Sequence, residues 1–378
     1  MHHVHQNSIL AQLLKIVPRH RFERLVSEHC GDYRVRRLRC WDQFVALLYG
    51  QLSGCESLRE IEAGFNAHAE RHYHLGCGRV ARSTLADANE TRPVSLYEAL
   101  FSWLLGKALP ADYAAKDALL LIDSSTIPLN QQLFDWAEFR SQKSGVKLHT
   151  VYDPNAAVPT YFTITPAKKH DMKEAAEFPI SPGADYVFDR AYNAYGWWQE
   201  LHNHGCRFVC RLKKNARFTV LAWRIPQGEG VLADDVIRLK DEACHTPLRR
   251  ITFYCPIRNK RLVFITNDLK SPAVEIAALY KKRWQIELFF KWIKQNLKIK
   301  KFLGTSENAV KIQIMVAIIV YLILRIMLQT LPKNIALKSL TDRIRATIFQ
   351  QKTIPEIFKP PKISNKIKCP KQEALKLC

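Results

Sequence analysis

Ala118-Leu-Leu-Leu-Ile122 is an unbroken apolar row ended by Asp123-Ser-Ser. A strand with one wet face alternates apolar and polar residues. A strand without alternation is buried on both faces, which requires a sheet covered by helices on each side. Tyr186-Val-Phe188 repeats the arrangement in shorter form and ends at Asp189-Arg-Ala-Tyr192. Either aspartate taken singly is equally well a turn residue or a helix N-cap. Two aspartates, each closing an apolar strand, are more informative.

Around these two strands the pattern predicts further strands at Val146–Tyr152 and Tyr161–Ile164, across an Asp153-Pro-Asn turn. A helix over Lys168–Phe178, a helix near Tyr195–His202 and a strand at Phe208–Leu212 complete the set. The order is three strands, helix, strand, helix, strand. With the first and fourth strands side by side, their carboxyl ends bring Asp123 and Asp189 together. Short alternating strands follow at Phe218–Trp223, Val236–Leu239, Arg250–Tyr254 and Leu262–Ile265, an apparent β-rich insertion over 216–270. Trp223 there is either a core aromatic or a ring free to stack on a base.

Tyr280 to Lys294 lacks Gly and Pro and is rich in long side chains, so it reads as one helix. Tyr280, Arg283, Glu287 and Lys294 then fall within roughly 60° of one another and form a polar stripe about 21 Å long. On the pattern alone this is an i,i+4 ion pair on a surface helix.

The N-terminal residues 6–106 read as helical throughout. Ser8 caps a first helix, Pro18 separates it from Arg21–Cys30, Trp41–Leu52 forms another, and Ser57-Leu-Arg-Glu60 fits a capping box. Ser83–Glu90 starts with a cap residue and has Arg71, Arg79, Arg82 and Arg92 nearby, which fits either an ordinary polar helix or a helix-turn-helix-like DNA reader with Arg82, Ser83, Thr84, Asp87 and Asn89 as contacts. Pro110 marks a boundary.

A net charge of +22 points to a polyanionic partner, nucleic acid being the commonest. Residues 271–378 carry 21 Lys plus Arg against 6 Asp plus Glu, so the excess is concentrated there. The ten cysteines lack a CxxC pair and fit a reduced, cytoplasmic protein. His202, His204, Cys206 and Cys210 are poorly placed for zinc, because the histidines would end a helix and the cysteines would lie in a strand. Met1-His-His-Val-His-Gln has no apolar signal region, so export is not expected. Ile312–Leu331 is interrupted by Gln313, Arg325 and Gln329 and reads as a buried helix, not a membrane span. No Gly-rich phosphate loop occurs, so no nucleotide cofactor is implied.

Tyr280, Arg283, Glu287 and Lys294, at their intervals, resemble the Y-R-E-K signature of the insertion-sequence-four family of transposases. Asp123-Ser-Ser-Thr and Asp189-Arg-Ala-Tyr resemble that family's two aspartate motifs, with Ala191 where Gly is frequent. The resemblance implies an α/β fold: a ribonuclease-H-like mixed sheet with helices on both faces, interrupted by a β-rich insertion and preceded by an all-helical domain. It implies a helical DNA-binding domain over 1–108, a catalytic domain over 116–331 and a basic, flexible tail over 332–378. It also implies a DDE triad of Asp123, Asp189 and Glu287 that holds two Mg²⁺, with Mn²⁺ as a substitute. Three converging carboxylates would otherwise repel and retain protons. Tyr280, Arg283 and Lys294 are then phosphate contacts, and Arg82, Ser83 and Thr84 contact the element ends.

The implied activity is cut-and-paste transposition through a DNA hairpin, acting on double-stranded element ends and target DNA as a homodimer on DNA, in the bacterial cytoplasm and with no membrane partner. Two other readings fit the same residues. One is a junction-resolvase-like nuclease; the other is a decayed copy that only binds DNA. A tyrosine-recombinase role for Tyr280 lacks the Arg and His partners such an enzyme needs.

Overall fold

The computed structural model of the chain describes residues 7–130, 134, 136 and 144–359. Helices α1 (Ile9–Leu14), α2 (Arg19–Glu28), α3 (Cys40–Ser53), α4 (Leu58–Asn66), α5 (His72–Leu75), α6 (Arg82–Thr91) and α7 (Val94–Ala108) come first. Strands β1 (Leu119–Leu129), β2 (Ser144–Asp153) and β3 (Val158–Pro166) follow, then α8 (Asp171–Ala175), β4 (Asp185–Phe188), α9 (Tyr195–Asn203) and β5 (Arg207–Arg211). The insertion supplies β6 (Phe218–Arg224), β7 (Val231–Leu239), β8 (Leu248–Cys255) and β9 (Lys260–Thr266). Helices α10 (Ala273–Lys281), α11 (Trp284–Asn296), α12 (Glu307–Gln329) and α13 (Leu337–Thr347) end the described chain.

The strands form a single sheet in the order β3-β2-β1-β4-β5-β9-β8-β7-β6. β1 pairs in parallel with β4, and β4 with β5, while the remaining pairs are antiparallel. The insertion therefore extends the ribonuclease-H-like sheet through β9 alongside β5. As the missing alternation requires, β1 is buried on both sides. Leu119 and Leu121 join a core with Ile286, Phe289 and Phe290 of α11, while Leu120 and Ile122 pack with Trp197 and Trp198 of α9.

Helix α12 is the apolar axis of the molecule. Val310 to Leu324 is buried apart from Lys311, against α3, α6 and α7, so the N-terminal helices and the sheet share one continuous core. By length and apolar composition α12 could cross a membrane, but most of it is buried inside the protein.

Several local expectations change. β1 runs past Asp123, because antiparallel pairing with β2 continues to Leu129 after parallel pairing with β4 stops at Ile122. The expected helix over Lys168–Phe178 shrinks to α8, the segment before it being drawn back as Ala167 N–H donates to Gly145 O at 2.8 Å. Ser83 does not cap α6: Ala81 holds that position, and the Thr84 hydroxyl donates to Ala81 O at 3.0 Å. Within the segment expected as a flexible tail, α13 folds down through buried Leu340 and Ile344, and the chain after it through buried Ile348 and Phe349. The Lys-rich stretch 362–371 lies outside the described residues.

Candidate active site

Ile122 pairs with Phe188 as the last residues of the β1–β4 ladder. Asp123 and Asp189 each follow by one residue, so the two aspartates stand at the same level at the point where β1 and β4 diverge. Asp123 continues on β1, with its own Oδ1 accepting from Ser124 N–H at 2.8 Å. Asp189 leaves β4 and caps the short turn Arg190–Tyr192, accepting from Ala191 N–H at 2.7 Å.

Glu287 arrives on α11, whose buried Ile286, Phe290 and Ile293 face the core under β1. The expected single helix is in fact two. Between α10 and α11 the chain tightens into i→i−3 bonds, Lys282 N–H to Leu279 O at 3.1 Å and Arg283 N–H to Tyr280 O at 3.1 Å. Nothing between Tyr280 and Lys294 is a helix breaker, so tertiary contacts decide the bend. Tyr280 stays with α10, its ring 4.9 Å from that of Phe264. Arg283, at the joint, turns toward the aspartates.

Arg283 links two of the three acids. Its Nη1 donates to Asp123 Oδ2 at 2.8 Å, and its Nη2 donates to Glu287 Oε1. Its buried Nε has no partner among the described residues. Burial works against the guanidinium charge, but Asp123, Tyr280 and Glu287 outweigh it and hold Arg283 above its usual range. Burial pushes the Asp123 carboxyl up to about 6, opposed by Arg283 and the Ser124 N–H and reinforced by the charges of Asp189 and Glu287. The three carboxylates thus share one electrostatic field.

Lys294 lies one helical stretch further along α11 and donates through Nζ to Thr126 O at 2.9 Å. Its burial, with Lys300 nearby, lowers its pKa. Trp284 and Leu288 are exposed beside the stripe, and Trp223 of β6 is 76% exposed, which excludes a core role for it.

On the N-terminal helices the outcome is mixed. Arg82 and Ser83 are exposed and line an open cleft with Arg59, Asp87, Phe302 and Leu303, and Thr84 is half-buried. Asn89 is buried and accepts from Gln43 Nε2 at 2.8 Å, so it faces the core and not a partner. Arg92 is also buried, donating to Gly31 O and Leu38 O at 2.6 Å each.

The acids offer only oxygen donors, the set suited to a hard divalent cation. They already attract a positive group, since Arg283 bridges two of them. Among the described residues no group of three or more His, Cys, Asp or Glu side chains is gathered closely enough to hold one ion. The donor chemistry and charge fit a divalent ion, with Arg283 standing between Asp123 and Glu287 in this arrangement. Sequence reasoning also missed a polar cluster behind Asp123, formed by Ser124, Lys147, His149 and Asp171. The only local hint was His170-Asp171 inside a segment read as plain helix.

This architecture, a mixed sheet with two parallel strands diverging at Asp123 and Asp189 and a helix packed under β1, defines a ribonuclease-H-like fold. Residues 114–323 match the family model described as the transposase DDE domain, and residues 5–78 match a domain of unknown function. A relative in Sinorhizobium fredii, named as transposase y4zB, is 39% identical over 289 residues, 74% of this chain and 81% of that protein. A Synechocystis relative, named as a transposase for insertion sequence element IS4SA, is 29% identical over 276 residues, 70% of this chain and 75% of that protein. In fold, the chain is similar to the piggyBac transposase of a synaptic complex with hairpin DNA solved by cryo-electron microscopy. The TM-score is 0.51 at 10% identity, over 94% of this chain and 83% of that one. The chain belongs to the DDE transposase family. It is a DNA-acting enzyme, and dependence on divalent metal ions comes with the DDE domain.

Proposed function

We propose that the chain cuts DNA at the ends of an insertion element and joins the freed ends to target DNA, with Asp123, Asp189 and Glu287 as its DDE triad. The observation that supports this reading is that Arg283 ties Glu287 to Asp123 while Asp189 stands level with Asp123 at the end of the neighbouring strand. Mg²⁺, with Mn²⁺ as a substitute, is the ion that this oxygen-only set would hold; when bound it supplies Lewis-acid activation of the attacking and leaving oxygens.

The chain's own groups do the positioning. Arg283, beside Asp123 and Glu287, is assigned to a phosphate near the cut, since a guanidinium grips phosphate oxygens in a fork. Lys294 offers a point charge to the same strand, and Tyr280 borders them. Arg82, Ser83 and Thr84 of α6 are assigned to the element ends, within a helical DNA-binding domain over 1–108 that precedes a catalytic domain over 116–331. Trp223, exposed on the insertion, is a stacking surface for an unpaired base. Two ends must be held at once, so a homodimer on double-stranded DNA is the working assembly, in the bacterial cytoplasm. The piggyBac synaptic complex holds hairpin DNA, and a hairpin route is proposed here.

The test is Mg²⁺-dependent cleavage of a labelled duplex carrying the DNA that flanks this gene, comparing wild type with Glu287→Ala. Defined breaks at the element ends, absent with the variant, are expected. Specific binding without cleavage in Mg²⁺ or Mn²⁺ would instead identify a DNA-binding protein without catalysis.

A further inference from the structure

Successive residues of a strand face opposite sides of its sheet. Asp123 faces Arg283, and Ser124 therefore faces the other layer. There the Ser124 hydroxyl donates to Asp171 Oδ1 at 2.9 Å. The same oxygen lies 3.1 Å from Lys147 Nζ and 3.4 Å from His149 Nδ1. Lys147 is fixed again by donating to Lys169 O at 3.0 Å.

His149 is fully buried, with Nε2 2.9 Å from the Thr165 hydroxyl and Nδ1 3.4 Å from the Tyr192 hydroxyl. Tyr192 thus joins the cluster through His149, as Ser124 joins it through Asp171. Burial pushes His149 down to about 4, so the imidazole is neutral and has one donor and one acceptor. Its Nδ1 is hydrogen-bonded to the Tyr192 hydroxyl and lies 3.4 Å from Asp171 Oδ1, while Nε2 is hydrogen-bonded to the Thr165 hydroxyl.

Ser124 is the residue after Asp123. Tyr192 closes the turn that Asp189 caps. One polar cluster, centred on Asp171 and His149, thus grips the segments carrying both aspartates from behind the sheet. Stability alone does not call for it. A buried charge pair rarely outperforms apolar packing of the same volume, and its better-attested use is to specify geometry.

We propose that Asp171, acting with His149 through Ser124 and Tyr192, is a positioning residue that fixes the separation of Asp123 and Asp189 and thereby sets their affinity for the divalent ion. This rests on the reading of Asp123 and Asp189 as the ion-holding carboxylates. Neither Asp171 nor His149 touches the ion or the DNA in this scheme.

The experiment measures Mn²⁺ binding to the full chain, from the paramagnetic resonance signal of free Mn²⁺. Wild type is compared with Ser124→Ala, Ser124→Thr, Asp171→Asn and Asp123→Ala. Ser124→Ala and Asp171→Asn are expected to weaken binding about 10-fold, the lower end for groups that orient metal ligands. Ser124→Thr keeps the hydroxyl and is expected to bind as wild type does. End cleavage should follow, with Ser124→Ala needing more Mn²⁺ for half-maximal rate but recovering the wild-type rate at saturation. Should Asp171→Asn unfold, the Ser124 pair still decides. Wild-type Mn²⁺ affinity in Ser124→Ala, or an equal defect in Ser124→Thr, overturns the hub while lost binding in Asp123→Ala leaves the triad standing. Undiminished binding in Asp123→Ala overturns the triad reading, and the hub with it.

Discussion

Arg283 Nη1 donates to Asp123 Oδ2 at 2.8 Å, across 160 positions of sequence, and the two side chains are only 16% and 18% exposed. The same guanidinium holds Glu287. One fixed cation therefore serves two acids that would otherwise repel, and it occupies the space between them that a divalent ion would contest. A bend between α10 and α11 makes this reach possible.

Replacing this cation separates its two roles. Arg283→Gln is expected to slow end cleavage about 100-fold, the usual cost of removing one donor aimed at a reacting group. It is also expected to bind Mn²⁺ at least as tightly as wild type, because a competing positive charge has gone. Cleavage at the wild-type rate would remove Arg283 from the phosphate-binding set.

Asp123 gives the protein a pH dependence with a definite sign. Burial raises its carboxyl from 3.8 to about 6, so the folded state holds this proton more tightly than the unfolded chain does. The resulting stabilisation is complete below the unfolded value and is lost as pH rises through about 6. Asp123→Asn resembles the neutral form. It should be more stable than wild type by about 1–3 kcal/mol above this window, and nearly equal to it below the window. Thermal melts on either side, at about pH 3.5 and about pH 7.5, check this; an equal gap at both would contradict it.

Much of this site was legible because the relevant signals are local. The unalternating Ala118–Ile122 and Tyr186–Phe188 mark strands buried on both faces, and the ribonuclease-H-like connection order is the one that sets them side by side. The observed Ile122 to Phe188 pairing agrees. What was not legible depends on distant partners. Asn89 has the composition of a groove contact, yet Gln43 and the core claim it. Ser83 has the chemistry of a cap but lies one residue inside the helix. The bend at Arg283 has no Gly or Pro to announce it, and the residues flanking it are met by Phe264 and Asp123 from other strands. Asp171 meets Ser124 and His149 only when β1, β2 and α8 have assembled.

Asp189 has a structural duty alongside its proposed chemical one, because its Oδ1 caps Ala191 N–H at 2.7 Å. Alanine removes both functions, whereas asparagine keeps an equally good cap. Asp189→Ala should lose about 0.5–2 kcal/mol of stability, while Asp189→Asn should melt close to wild type. Both should fail to cleave. An Asp189→Asn protein that still cut the element ends would leave the residue with capping alone.

Lys294 presents a similar division. Its ammonium tethers α11 to β1 through Thr126 O at 2.9 Å and, in the proposed function, also meets a DNA phosphate. Lys294→Met keeps the apolar stem and removes the charge. Loss of the tether should cost about 1 kcal/mol in denaturant melts. Loss of a phosphate contact should weaken end binding and reduce the slope of log affinity against log salt by about 1. The two measurements are independent, because the tether lies within the protein and releases no counterion from DNA. A lower stability with an unchanged salt slope would therefore assign Lys294 to holding the helix, leaving Arg283, at the joint before α11, as the cation that meets the DNA strand.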